Sequence, residues 1–375
     1  MACNTGPGRP SPQSLVGTSE PPGHGDAGLV DAPPAECGGD FCGDSFLKER
    51  REPPNLYFLV DRSGSMAASP EGSSRTKYEM ARRVLADLLK AIGHRVRYGA
   101  AIFPKSSVSG ECGPGRELIP LTLGEPPSCT GEIDPNLARR LGAFGSFPPG
   151  GTTPTSAALR ELVPELEALD GKTYLVLVTD GAPNCNLEAS CEADQCTLNI
   201  EHATVGQTSC AGSVNCCDPE LFGEEAPGNC VDLDESVNQV ERLAERGIPT
   251  FVIGMPGAEP YATVLDALAE AGGTARSGTT TAYYAVNDQD ELEEALYAIG
   301  TGLAISCSID LDEAPQDPRH VNVYFDGEIV PADPDDGWSW DGDARIVVHG
   351  EACDTLKSGR VIDARAVFGC DTVVR

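Results

Sequence analysis

Short apolar runs at 56–60 and 174–178, and apolar-rich stretches at 97–103 and 249–254, alternate with segments in which apolar residues recur every three or four positions. Such runs are the pattern of parallel strands buried on both faces. Between them Met80, Val84, Leu88 and Ile92 keep helical spacing over 78–92. Helices are predicted likewise over 136–144, 156–169, 234–246 and 261–271, and a last one buries Leu292, Leu296, Ile299 and Leu303. Further strands are expected at 118–123 and 282–286. Alternating strands and helices predict an α/β protein, a Rossmann-like, doubly wound and mostly parallel sheet with helices on both faces.

The pattern breaks in three places. Residues 1 to about 52 are rich in Pro, Gly and Ser, show no periodicity, and read as a flexible tether. Residues 183–231 are a cysteine-rich insertion with too few apolar residues to build a core without cross-links. Beyond Cys307, Val321-Asn322-Val323-Tyr324-Phe325 meets Asp326-Gly327, a hairpin signal. With strands expected at 345–348 and 361–368, and no helix of length apparent, 305–375 reads as a small β domain. Some pairing of Cys307, Cys353 and Cys370 would hold it. The α/β domain then occupies 53–304.

Fifteen cysteines in 375 residues bear on the compartment. Seven lie between Cys185 and Cys230, at gaps that never form the Cys-x-x-Cys knuckle of a zinc site, with only His202 among them. A disulfide framework in an oxidising compartment is the better reading than zinc. Cys112 and Cys129 flank the strand at 118–123 and are the expected bridge across that excursion, and Cys37 and Cys42 are expected to close a small loop in the tether. The start, Met1-Ala2-Cys3-Asn4, has no basic and apolar leader, and no run of eighteen apolar residues spans a membrane. Ala2-Cys3 before a Pro/Gly/Ser-rich stretch resembles the end of a bacterial lipoprotein signal. That implies a lipid anchor at Cys3; the alternative is an unpaired thiol. The expected location is extracytoplasmic, secreted or on the envelope surface. Formal net charge is -31, from 27 basic and 58 acidic residues, with no basic stripe, so nucleic acid and anionic membranes are poor partners.

The run Leu56-Tyr57-Phe58-Leu59-Val60 leads directly into Asp61-Arg62-Ser63-Gly64-Ser65. A strand ending this way delivers one carboxylate and two hydroxyls to the carboxyl edge of the sheet, where open α/β folds bind ligands. The run at 174–178 likewise ends in Thr179-Asp180-Gly181, and Gly150-Gly151-Thr152-Thr153-Pro154-Thr155 opens the helix at 156. Few, hard and mostly neutral oxygen ligands suit Mg²⁺, which keeps several of its waters. Singly, each segment reads as a helix cap or turn. Together and in this order they resemble the metal-ion-dependent adhesion site of von Willebrand factor A (VWA) domains, over about 53–304.

The resemblance implies that Ser63 and Ser65 touch the metal through their hydroxyls, while Asp61 and Asp180 hold metal-bound waters and orient the serines. A loop threonine is a direct or water-mediated ligand. The family's pattern places it two residues before a second threonine, which favours Thr153 over Thr152. The implied cofactor is Mg²⁺ (or Mn²⁺ or Ca²⁺), and the implied partner is a protein whose Asp or Glu completes the shell of the ion.

The leading function class is therefore a non-enzymatic, metal-dependent protein-binding module. A metal-dependent hydrolase needs a general base beside the ion. No histidine adjoins the three loops in sequence, no Gly-x-Ser-x-Gly elbow follows a strand, and no P-loop is present. The third class is a disulfide-rich surface scaffold with an incidental metal site.

Overall fold

A computed structural model of the protein describes residues 43–47, 52–108, 111–125, 135–211, 213–358, 361 and 364–375. They belong to one unit, Glu36–Arg375. Its centre is a six-stranded sheet of β2 (Asn55–Asp61), β3 (Arg97–Phe103), β4 (Arg116–Leu123), β5 (Thr173–Thr179), β8 (Thr250–Gly254) and β9 (Tyr284–Ala285). The strand order is β4-β3-β2-β5-β8-β9. All neighbours are parallel except β4, an edge strand that runs antiparallel to β3.

Alternation along β2 divides its side chains between two cores. Leu56, Phe58 and Val60 share a core with α1 (Lys77–Ile92) and α8 (Gln289–Ala304), while α2 (Pro135–Phe144) adds Leu137 and Phe144. Tyr57 and Leu59 lie in the opposite core with α3 (Thr155–Glu167), α6 (Leu233–Glu245) and α7 (Ala262–Ala271). Every residue of β2 is buried, and each such apolar side chain contributes about 1.5–3 kcal/mol. This burial pins the register. Val60 pairs with Ile102 on one side and Val178 on the other, so β2 and β5 end level and their terminal carboxylates come together.

Among the described residues the insertion holds short elements, including α4 (Thr197–Ile200), the two-stranded β6 (Thr204–Val205) and β7 (Thr208–Ser209), and α5 (Pro219–Phe222). Its core is made of half-cystines, with Cys196, Cys210, Cys216, Cys217 and Cys230 buried together. Bridges Cys191–Cys230, Cys196–Cys217 and Cys210–Cys216 tie it internally. A fourth bridge corrects the sequence reading: Cys112 pairs with Cys185, not with Cys129. The neck of the insertion passes beside the β3–β4 excursion, so the spatial neighbour of Cys112 lies 73 residues away in sequence. Closing a loop of that length stabilises the fold by about 4 kcal/mol in the chain-entropy account.

The C-terminal region also departs from expectation. β1 (Gly43–Leu47), inside the stretch read as tether, pairs with β15 (Ala364–Gly369) in a sheet ordered β1-β15-β11-β12, where β11 is Val321–Phe325 and β12 is Glu328–Val330. A second sheet contains β10 (Ser308–Asp310), β14 (Arg345–Val348) and β13 (Trp338–Trp340). A helix, α9 (Gly350–Lys357), stands where none of length was expected, and Cys353 on it pairs with Cys307. Val323, Trp338 and Ile346 belong to the same hydrophobic cluster as the buried faces of α1 and α8. Cys370 is also disulfide-bonded. The expectations for Cys3 and for Cys37 with Cys42 fall outside the described residues. Among the described residues no helix is long and apolar enough to cross a membrane.

Alkylation of the denatured, unreduced protein should leave all eleven cysteines from Cys112 to Cys370, Cys129 apart, unlabelled. Peptide mapping should recover Cys112 joined to Cys185. A peptide joining Cys112 to Cys129 would contradict this pairing.

Candidate metal centre

At the end of β2, Asp61 is fully buried and held from both sides. The Ser63 N–H donates to its Oδ1 (2.7 Å), and the Thr179 hydroxyl at the end of β5 donates to its Oδ2 (2.6 Å). The chain then turns in a short 3-10 segment, Gly64–Ala67. That turn brings the Ser63 and Ser65 hydroxyl oxygens to 3.1 Å from each other. Ser65 in turn donates to Asp180 Oδ1 (2.7 Å). Asp61, Ser63, Ser65 and Asp180 are thus one hydrogen-bonded cluster at the carboxyl ends of two adjacent parallel strands.

The Gly150 loop lies against this cluster. The Gly64 N–H donates to Gly151 O (3.0 Å), and the Gly150 N–H donates to Arg62 O (2.7 Å). Gly151 has φ of +89°, and a Cβ there would sit 2.8 Å from Ser106 O, so the loop needs glycine at this position. Thr152 is turned away, its hydroxyl donating to Cys185 Sγ. Thr153 is buried and fixed through its backbone: its N–H donates to Asn184 Oδ1 and its carbonyl accepts from Asn184 N–H, both at 2.8 Å. No hydrogen bond among the described residues joins the Thr153 hydroxyl to the carboxylates. Four of the five expected residues are linked directly; Thr153 is brought alongside by its loop.

Three contributors escape a reading of the motif. Arg62, between the acid and the first serine, is buried, and its guanidinium donates to the carbonyls of Pro104, Lys105 and Pro148. It fastens the first loop to the segment after β3. Asn184 pins the Thr153 loop to the neck of the insertion, beside the Cys112–Cys185 bridge. Lys77, the first residue of α1, donates from Nζ to Asp180 Oδ2 at 2.7 Å and is nearly buried. Its sequence signal is a cation in the first turn of a helix, where the macrodipole opposes it.

Burial, and next the charge of Asp180, push the Asp61 carboxyl up to about 7, against the opposing hydrogen bonds from Thr179 and Ser63. The donor set fits a hard divalent ion. Adjacent ligands of an octahedral Mg²⁺ with bonds of about 2.1 Å lie roughly 3 Å apart, which is the spacing of the two serine hydroxyls. A divalent charge would also offset the crowding of two carboxylates in a buried site. In the insertion, the sulfurs of Cys191, Cys217 and Cys230 lie within 4.8 Å of one another. All three are in disulfides, which leaves no thiolate to hold zinc there.

The single antiparallel edge strand, the strand order and the three loops at the carboxyl edge decide the architecture. The fold is VWA-like. No protein-family model and no curated protein matches the chain. Solved structures similar to it include the pilus adhesin SpaC from Lactobacillus rhamnosus GG, at 16% identity over 81% of this chain and 38% of that one, with a TM-score of 0.47. The PilB minor pilin from Streptococcus sanguinis is 16% identical over 69% and 62% of the two chains, with a TM-score of 0.42. The vWF domain of the type V pili tip protein Mfa5 from Porphyromonas gingivalis is 12% identical over 70% and 98%, with a TM-score of 0.41. The chain spans only 38% of the pilus adhesin and 62% of the minor pilin.

The raised Asp61 carboxyl has a consequence for stability with a definite sign. In the unfolded chain it ionises near 3.8, in the folded metal-free protein near 7. Its contribution is therefore intact below about pH 4 and is lost as pH rises towards 7. Asp61→Asn keeps an acceptor for Ser63 N–H and offers N–H to Thr179, but does not ionise. In EDTA, urea unfolding of wild type should show stability falling between pH 4.5 and 8 relative to this variant, and saturating Mg²⁺ should reverse the difference. Parallel pH curves for the two proteins in EDTA would refute the buried-acid account.

Proposed function

We propose that this protein is a non-enzymatic, divalent-cation-dependent binding module that works outside the cytoplasm and captures a carboxylate from a protein partner. The observation that carries this reading is the pair of neutral hydroxyls, Ser63 and Ser65, set 3.1 Å apart between two carboxylates at the edge of the sheet. In the proposed site Ser63, Ser65 and Thr153 offer hydroxyls to Mg²⁺ or Mn²⁺, and Asp61 and Asp180 orient the serines and hold the ion's waters. An ion held mainly by neutral oxygens keeps its appetite for an anion, so an Asp or Glu of a partner completes the shell.

Specificity then falls to the loops around the ion. Val108, 56% exposed, follows Ser107, which packs on Gly150; Leu187, 51% exposed, lies two residues beyond Cys185. The Cys112–Cys185 bridge joins the segments that carry these two apolar side chains. Both are available to a partner whose carboxylate is flanked by apolar groups. The five disulfides that join described residues to one another support an oxidising compartment. A lipid anchor at Cys3 would place the module on an envelope surface.

Isothermal titration should show one Mg²⁺ or Mn²⁺ per wild-type chain and none for Asp61→Ala, with the circular dichroism of the variant unchanged. Capture of partners from extracellular or envelope fractions should be abolished by EDTA, restored by Mg²⁺, and weakened by deleting residues 186–229 with metal binding retained. A partner held equally well in EDTA leaves the scaffold reading in place of this one.

A further inference from the structure

Lys77 is a buried cation that the metal motif does not call for. Its side chain is 11% exposed, and its ammonium sits 2.7 Å from Asp180 Oδ2, on the oxygen that Ser65 leaves free. Two features oppose a lysine here: burial of its charge, and the positive end of α1, which begins at Lys77 behind a capping box of Thr76 and Glu79. The surroundings nevertheless make room for it. Gly257, in the loop after β8, has φ of +95°, and a Cβ there would lie 2.9 Å from Lys77 Nζ. That loop is fixed beside β5, because the Met255 N–H donates to Thr179 O (2.8 Å). The ammonium is seated between the ends of β5 and β8.

We propose that Lys77 is a specificity-determining residue that sets the charge of the loaded site, giving up metal affinity in exchange for affinity towards an anionic ligand. This rests on the metal-binding reading above. Asp61 and Asp180 in ionised form bring two negative charges, and Lys77 cancels one of them. A divalent ion then leaves the site with one net positive charge; without Lys77 the same site would be neutral. Arg62 is also cationic, but its guanidinium is turned to three backbone carbonyls and bonds neither carboxylate, so its charge is common to wild type and variants alike. Across a protein of net charge -31, one local positive charge is what allows a carboxylate to approach and stay. Lys77 also holds Asp180 while no ion is bound, so the metal enters a site already shaped.

The test compares wild type with Lys77→Met, Lys77→Gln and Lys77→Arg, using Mn²⁺ alone and then acetate as the carboxylate probe. Free Mn²⁺ is followed by electron paramagnetic resonance, and acetate by its displacement of water from the bound ion, read as water-proton relaxation. Both neutral variants should bind Mn²⁺ about tenfold more tightly, the order expected when one charge leaves a partly buried cluster. Their loaded forms should bind acetate more weakly by a similar factor. Lys77→Arg, which keeps the charge but is bulkier, should stay closer to wild type than either neutral variant in both measurements. Neutral variants that fold and match wild type in either affinity would overturn the proposal, as would neutral variants that bind Mn²⁺ more weakly, the mark of a merely structural anchor for Asp180. Should only one neutral variant fold, its two affinities decide. A wild-type protein that takes up no Mn²⁺ overturns this inference together with the metal-site reading beneath it, whereas failure confined to the variants leaves that reading intact.

Discussion

Asp61 and Asp180 are buried within reach of each other at the ends of two parallel strands, and much of the local structure answers that juxtaposition. Burying a carboxylate costs several kcal/mol unless opposite charge or donated hydrogen bonds compensate. Here the compensation comes from every side: Ser63 and Thr179 on Asp61, Ser65 and Lys77 on Asp180. These partners exhaust neither the charge nor the hydroxyl oxygens. With Asp61 ionised, the arrangement is a cluster of oxygen atoms with one negative charge that Lys77 leaves uncompensated, which suits the proposed cation site.

The rest of the fold holds that cluster in place. Complete burial of β2 between β3 and β5 fixes the register that levels the two strand ends. Arg62 ties the first loop to the segment after β3, and Asn184 ties the Thr153 loop to the insertion. Asp232 closes the neck of the insertion, accepting from Ser156 at the start of α3 and from Asn186, while its N–H donates to Pro183 O. The insertion is therefore fastened to the threonine-bearing loop and the start of α3 by Asn184 and the buried Asp232 carboxylate, and to the β3–β4 excursion by a disulfide. A surface elaboration attached this way would change what can approach the proposed cation site without altering the sheet beneath it.

The central sheet was legible because parallel strands buried on both faces are written as short apolar runs, and their helices as spaced apolar positions. Asp61, Ser63, Ser65 and Asp180 could be picked out for the same reason: each follows directly from the end of such a run. What was hidden depends on residues distant in sequence. Gly43–Leu47 lies in a Pro/Gly-rich stretch and becomes a strand only because β15, more than three hundred residues later, offers an edge to pair with. The helix at Gly350–Lys357 buries a single large apolar side chain, Leu356, too little for a periodic signal. Cys112 has a nearer cysteine in sequence than its true partner, and spacing alone cannot reveal where the neck of an insertion returns. Lys77 sits in an ordinary amphipathic helix, and only the fold aims its ammonium at Asp180.

The central claim is that these carboxylates and hydroxyls form a cation site. Crystals of the full chain soaked in Mn²⁺, with data collected at the manganese absorption edge, test it most directly. The account predicts one anomalous peak within bonding distance of both Ser63 Oγ and Ser65 Oγ, with Lys77 still on the far oxygen of Asp180. Density that shows the two serines bonded only to protein, with no anomalous peak between them, would contradict it.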